Sequence, residues 1–137
     1  MIGSARDARP AVTVIGRLKT RTQFLFVKGG TRFVAPSLVL QARARADAGE
    51  DRSARFGFTA SRTLGGAVQR NRARRRLKEA VRLAGPGAVV AGYDYVLIAR
   101  SGTLQRRFAE LIKDLERALA RIHAPSRLSD ARRSQTE

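Results

Sequence analysis

Between positions 70 and 78 the chain reads Arg70-Asn71-Arg72-Ala73-Arg74-Arg75-Arg76-Leu77-Lys78, five arginines and a lysine within nine residues. Wound at 3.6 residues per turn, this segment separates into faces. Ala73, Leu77, Ala80, Val81 and Ala84 align as an apolar stripe for a core. Asn71, Arg75, Lys78 and Arg82 align on the opposite side, with Arg70 and Arg74 along one edge and Arg72 and Arg76 along the other. Like charges three and four apart on a helix repel, and Glu79 alone offsets them locally. Phosphates would relieve the repulsion, because a guanidinium presents a planar fork of donors that matches phosphate oxygens and also stacks on bases. Asn71 differs in kind: its amide both donates and accepts, which suits a phosphate, a ribose hydroxyl or a base edge. Arg62 adds a cation upstream, and Gly65-Gly66 either let backbone N–H groups approach a phosphate or make an ordinary tight turn.

The acids argue against catalysis by this chain. A metal-dependent nuclease needs carboxylates gathered around its ions, and here they are scattered. Asp47, Glu50 and Asp51 fall in a charged, small-residue stretch. Glu110, Asp114 and Glu116 fall on the last helical segment, expected to face solvent; Asp7, Asp130 and Glu137 fall near the ends. Only Glu79 and Asp94 are candidates to lie near the basic helix. The single histidine, His123, precludes a histidine pair, and the absence of cysteine excludes disulfides and thiolate metal sites. We therefore expect no catalytic residue and no metal ligand set. With 28 lysines and arginines against 11 acids, the net charge of +17 calls for a polyanion, nucleic acid ahead of an anionic membrane surface. No apolar run has the length of a membrane span or of a signal-peptide core, so a cytoplasmic protein is expected.

The elements that must position the basic helix are legible in outline. Thr20 starts a short helix carrying Phe24, Leu25 and Val27, stopped at Gly29-Gly30. Strands are expected at 31–35, at 38–43 with Leu38, Leu40 and Ala42 on one face, and at 55–61 with Phe56, Phe58 and Ala60 on one face. Residues 44–54 between the last two are expected to be a long hairpin loop. The basic helix should span 67–84 and end at Gly85-Pro86-Gly87, followed by a strand at 93–99. One last helix should run from Ser101 through Leu104, Phe108, Leu111, Ile112, Leu115 and Leu119 to Ile122. Residues 1–15 read as a flexible extension, although 12–15 could pair as a short strand, and 123–137 read as a disordered basic tail. The order αβββαβα over 16–122 implies an α+β sandwich of one sheet with helices packed on it.

Taken together, these residues resemble the bacterial ribonuclease P protein family. Arg70-Asn71-Arg72 with Arg74, Arg75, Lys78 and Glu79 matches that family's arginine motif. Phe58-Thr-Ala-Ser-Arg62 and Gly65-Gly-Ala-Val68 resemble the strand and loop leading into it. Arg17-Leu-Lys19 with Phe24 resembles the family's first helix, and Asp94-Tyr-Val-Leu-Ile-Ala-Arg100 its last strand. The resemblance implies a two-layer, ribosomal-protein-like fold with a left-handed βαβ crossover, an exception to the usual hand. It also implies a role beside a catalytic RNA that holds the magnesium ions and removes the 5′ leader of precursor tRNA by phosphodiester hydrolysis. The protein, a monomer in a 1:1 complex, would lower the magnesium requirement. By position, RNA binding falls to Arg62, Arg70, Asn71, Arg72, Arg74, Arg75, Lys78 and Arg82, and a leader cleft to Phe24, Val27 and Gln41. Gln41 stands where many relatives carry an aromatic. Asp94 would either help position metal-bound RNA or cap a basic neighbour. Two other readings share the charge: a ribosomal or other structural RNA-binding protein of similar fold, and a DNA binder with the helix in a major groove. The arginines circle the helix too widely for one groove-facing strip, which disfavours the second.

Overall fold

Thr20 opens the first helix, α1 (Arg21–Lys28), through a reciprocal cap. Its hydroxyl accepts from the Gln23 N–H at 3.2 Å, and the Gln23 side chain accepts from the Thr20 N–H at 3.1 Å. In the computed structural model, which describes residues 15–46 and 52–124, α1 is preceded by a three-residue strand, β1 (Ile15–Arg17). The expected pairing of the lead-in is thus met at Ile15, while residues 1–14 lie outside the described residues. Arg17 belongs to β1 and not to the first helix, so of the residues matched to that helix only Phe24 lies in it.

The sheet adds β2 (Thr31–Val34), β3 (Leu38–Ala44), β4 (Ala54–Thr59) and β5 (Tyr93–Ala99) in the order β1-β4-β5-β3-β2. This corrects the hairpin expected across 44–54, of which 47–51 lie outside the described residues. β3 and β4 are not neighbours, because β5 lies between them, antiparallel to β3 and parallel to β4. A strand this central is covered on both faces and reads as a nearly continuous apolar run, as Tyr95-Val-Leu-Ile-Ala99 does. The helix α2 (Ala67–Ala84) crosses from β4 to β5 with the boundaries its pattern predicts.

The main core lies on one face of the sheet. Leu38, Leu40, Phe56, Tyr95 and Leu97 meet Ala73, Leu77, Ala80 and Val81 of α2 and Leu111, Leu115 and Leu119 of the C-terminal helix. A smaller cluster of Leu18, Val27 and Val96, joined by Phe24, Phe26 and Ile98, fixes α1 on the other face.

The last helix is two helices, α3 (Ser101–Gln105) and α4 (Phe108–Ile122), where one was expected. Arg106 and Arg107 between them take extended backbone, with ψ of 151° and 147°. The break is held by a polar cluster. Arg76 of α2 donates from Nε to the Thr103 carbonyl at 2.8 Å and from Nη2 to the Arg106 carbonyl. Arg106 Nε lies 3.0 Å from Asp114 Oδ2, which also accepts from the Ser37 hydroxyl at 2.6 Å. Asp114, expected in solvent, is 1% exposed; a buried carboxylate is tolerable there because it is paired and hydrogen-bonded. Chain order continues past 122: His123 caps α4, packs edge-on to Tyr93 and lies 2.7 Å from the Tyr95 hydroxyl. Of the tail expected from 123, His123 is thus packed against the sheet, and residues 125–137 lie outside the described residues.

Candidate nucleic-acid interface

Helix α2 starts from a turn that only glycine takes easily. Gly65 has φ of +144°, a region that side chains rarely occupy. The Gly66 N–H donates to the Gln69 side chain at 3.1 Å, satisfying one N-terminal donor. The apolar stripe then settles as expected, with Ala73, Leu77, Ala80 and Val81 buried, and it forces the opposite side outward. Asn71, Arg72, Arg75, Lys78 and Arg82 are exposed, and Arg70 and Arg74 are half-exposed. Arg62 is exposed in the 3-10 turn Arg62–Leu64 just before the helix.

Local hydrogen bonds order this face. Arg74 Nη2 donates to Asn71 Oδ1 at 2.6 Å, which leaves the Asn71 amide nitrogen to donate outward. Arg70 reaches back to the Gly65 carbonyl at 3.5 Å. Arg82 pairs with Glu79, whose carboxyl it holds below the usual range chiefly by hydrogen bonding. Arg72, Arg75 and Lys78 have no carboxylate partner among the described residues. Burial, then the cations of Arg17 and Arg74, lower the pKa of Lys78. At Arg72, Arg75 and Lys78 the outward face is therefore cationic with no carboxylate paired to it among the described residues.

Arg76 departs from this pattern. Helical spacing puts it on the flank of the charged face, yet its guanidinium turns inward to the α3–α4 junction, over the ring of Phe108 at 5.7 Å. Asp94 is likewise structural. It is 1% exposed and accepts from Arg45 at 2.6 Å and from Arg55 at 2.8 Å through both oxygens. Of its two readings, the cap of basic neighbours is the one the geometry supports.

The residues expected in the cleft do share one face. Gln41, Val96 and Gly57 stand side by side across β3, β5 and β4. α1 lies over this row, with the ring of Phe24 against Gly57. A Cβ on residue 57 would come within 2.5 Å of that ring, so the glycine makes room for the aromatic. Phe24 is half-buried and keeps part of its ring accessible. Val27 has no exposed surface; it anchors α1 to Val96 and has no face to offer a ligand, which corrects its place in the cleft. Gln41 is 8% exposed, a floor residue beneath the helix. Arg17 and Phe58, which the sequence reading did not assign to binding, stand beside Lys78 where β1 and β4 meet α2. The alternation of β1 and β4 is the signal that places them on the α2 side.

The family model described as Ribonuclease P matches residues 15–123. The ribonuclease P protein component of Ruegeria pomeroyi is 49% identical over 122 residues, covering 85% of this chain and 97% of that protein. That of Gluconacetobacter diazotrophicus is 49% identical over 104 residues, covering 75% and 87%. Among solved structures, the RNase P protein from Thermotoga maritima superposes with a TM-score of 0.66 at 28% identity, covering 79% of this chain and 98% of that one. The Staphylococcus aureus RNase P protein, at 24% identity, shares the fold with a TM-score of 0.65 over 78% and 94%. With the motif helix, the sheet order and these likenesses in agreement, the chain belongs to the ribonuclease P protein family.

Proposed function

We propose that this chain is the protein subunit of ribonuclease P, working in the cytoplasm as a monomer in a 1:1 complex with a catalytic RNA that removes the 5′ leader of precursor tRNA. The observation that carries the reading is the outward face of α2, where Arg72, Arg75 and Lys78 stand without carboxylate partners among the described residues, on a helix packed against the core. Arg62, Arg70, Asn71, Arg74 and Arg82 extend this surface toward the RNA subunit. Membership of the family, and the names of its relatives, support the assignment. No helix among the described residues is long and apolar enough to cross a membrane.

The chemistry is endonucleolytic phosphodiester hydrolysis, with the catalytic centre in the RNA. Among the described residues no three histidine, cysteine or acidic side chains come together to hold a metal ion. The two buried carboxylates, Asp94 and Asp114, are already engaged by arginines. The described residues therefore assemble no carboxylate set for magnesium, and the reading assigns magnesium to the RNA and its substrate. What the protein contributes is charge: cations placed where two polyanions meet reduce the divalent ion needed to bring them together. The groove between α1 and the sheet, with Phe24 at Gly57 and Gln41 in its floor, takes the single-stranded leader, whose bases stack on an aromatic face.

The test is a reconstitution. The protein alone should leave precursor tRNA intact, and adding it to the RNA subunit should lower the magnesium needed for cleavage. Cleavage by highly purified protein without RNA would overturn the proposal. Phe24→Ala should weaken leader-containing substrate by roughly 1–3 kcal/mol while mature tRNA is little affected. Equal losses for both, with a lowered melting temperature, would place Phe24 in the core alone.

A further inference from the structure

On the α2 side of the sheet, away from the α1 groove, a half-open cavity of about 340 Å³ lies between β1, β4 and α2. Strand alternation builds it. Ile15 and Arg17 of β1 stand beside Ala54 and Phe56 of β4 in parallel register, and Phe56 and Phe58 point to the same side. Their rings are stacked at 6.1 Å, and Phe58 is half-buried, so part of its surface is open to the cavity. Val81 and Pro86 complete an apolar lining. The rim is cationic, with Arg17 on one side and Lys78 and Arg82 on the other, and the Lys78 ammonium stands 6.0 Å from the Phe58 ring centre. Among the described residues no acidic side chain lines it, and of the rim cations Arg82 is paired with Glu79 while Arg17 and Lys78 have no carboxylate partner among the described residues.

We infer that this cavity is a nucleobase pocket, which receives one unpaired base of the RNA held by the outward face of α2 while Arg17 and Lys78 hold its phosphate. The inference rests on the function proposed above and deepens it. Its volume is at the lower end of the range for small-ligand sites, about 300–1,000 Å³, which suits a single flat ring system. The chemistry selects the occupant. A second copy of a chain with net charge +17 would bring cations to a cationic rim. A planar aromatic group tied to a phosphate instead satisfies floor and rim together, since bases stack on aromatic rings and cations pair with the backbone. Lys78 also belongs to the α2 face, so base and neighbouring backbone would be held by continuous surface. Burial, then Arg17 and Arg74, lower the pKa of Lys78, and an entering phosphate would offset the repulsion from the two arginines.

The experiment footprints the RNA subunit with the full chain, using dimethyl sulfate to read base edges and hydroxyl radicals to read the backbone. With the native protein, an unpaired adenine or cytosine should be shielded. With Phe58→Leu, which keeps apolar volume but loses the ring, that base should become reactive and affinity should fall about 5- to 100-fold, while backbone protection persists. Arg17→Gln, an exposed substitution that leaves the packing alone, should lower affinity and flatten the salt dependence by about one unit. Base reactivity and affinity unchanged in both variants would overturn the pocket. Loss of all backbone protection with the native protein would instead overturn the proposed function itself, which separates the two failures.

Discussion

On the outward face of α2, Arg72 and Arg75 point into solvent with no carboxylate partner among the described residues. Elsewhere, the same side chain is used up inside the fold. Arg45 and Arg55 converge on Asp94, Arg76 holds two carbonyls at the α3–α4 break, and Arg100 donates to the Ala35 carbonyl at 2.7 Å. The comparison teaches that arginine content measures two different things. Where a guanidinium meets a buried acceptor, it contributes to stability and is not available to a partner. Where the helix turns Arg72 and Arg75 away from the core, they keep their charge with no carboxylate partner among the described residues, and an external anion can supply one. Net charge alone does not distinguish the two, and Arg75 and Arg76, adjacent in sequence, fall on opposite sides of the division.

The largest effect should come from the buried acceptor. Asp94→Ala leaves Arg45 and Arg55 without their shared carboxylate and should destabilise the fold by about 3–5 kcal/mol, read by denaturant unfolding. A loss near zero would mean that these guanidiniums find solvent as easily as those on α2, and the contrast between the regions would disappear. Arg76→Ala should come next. It removes the donors to the Thr103 and Arg106 carbonyls and should cost about 1–3 kcal/mol, with the salt dependence of RNA binding unaltered once the variant is folded. If Arg76→Ala flattened that dependence, Arg76 would belong to the binding face after all.

A smaller effect is expected at Tyr95, where the packing involves no arginine. Its buried hydroxyl accepts from the Val90 N–H at 2.8 Å and shares a hydrogen bond of 2.7 Å with His123 Nε2. Burial is the main cause that raises its pKa. The folded chain thus holds this proton more tightly than the unfolded chain, whose tyrosine ionises near pH 10. The stabilisation is complete below that pH and is lost as pH rises above it. Tyr95→Phe should therefore cost about 1 kcal/mol at neutral pH and should flatten the alkaline fall in stability between about pH 9.5 and 11, measured by unfolding across that range. An equally steep fall in the variant would assign the alkaline loss to other groups.

The smallest effect on the fold and the clearest on binding should come from Arg75→Ala. Its melting temperature should match the native protein. If the interface neutralises about four to six phosphates, the native slope of log K against log salt should lie near −3 to −5, and this variant should flatten it by about one unit. A slope identical to the native one would show that Arg75 meets no phosphate, and the outward face would then have to be redrawn around Arg72 and Lys78.

The basic helix was legible because its information is local. A 3.6-residue period, a glycine turn before it and a glycine stop after it fix Ala67–Ala84 and its two faces without reference to the rest of the chain. The same holds for the Thr20 cap of α1 and for the inward side of α4. Other features depend on contacts between segments distant in sequence, which no local pattern encodes. β5 lies between β3 and β4 because its apolar residues need cover on both faces and the α2 crossover delivers it parallel to β4, so the segment after β3 is not a hairpin. The α3–α4 break exists because Arg76, from another helix, supplies donors to carbonyls at the junction, and Asp114 is buried because Ser37 and Arg106 meet it there. Val27 lost its place in the cleft for the same reason: helical spacing puts it near Phe24, but only the packing of α1 on Val96 decides which of the two keeps an open surface. The sequence by itself determined the cationic helix and the side it turns outward, since those follow from periodicity along one segment. The tertiary structure alone decided which cations are already engaged within the protein, since that requires the acceptors of other segments to be brought within hydrogen-bonding distance.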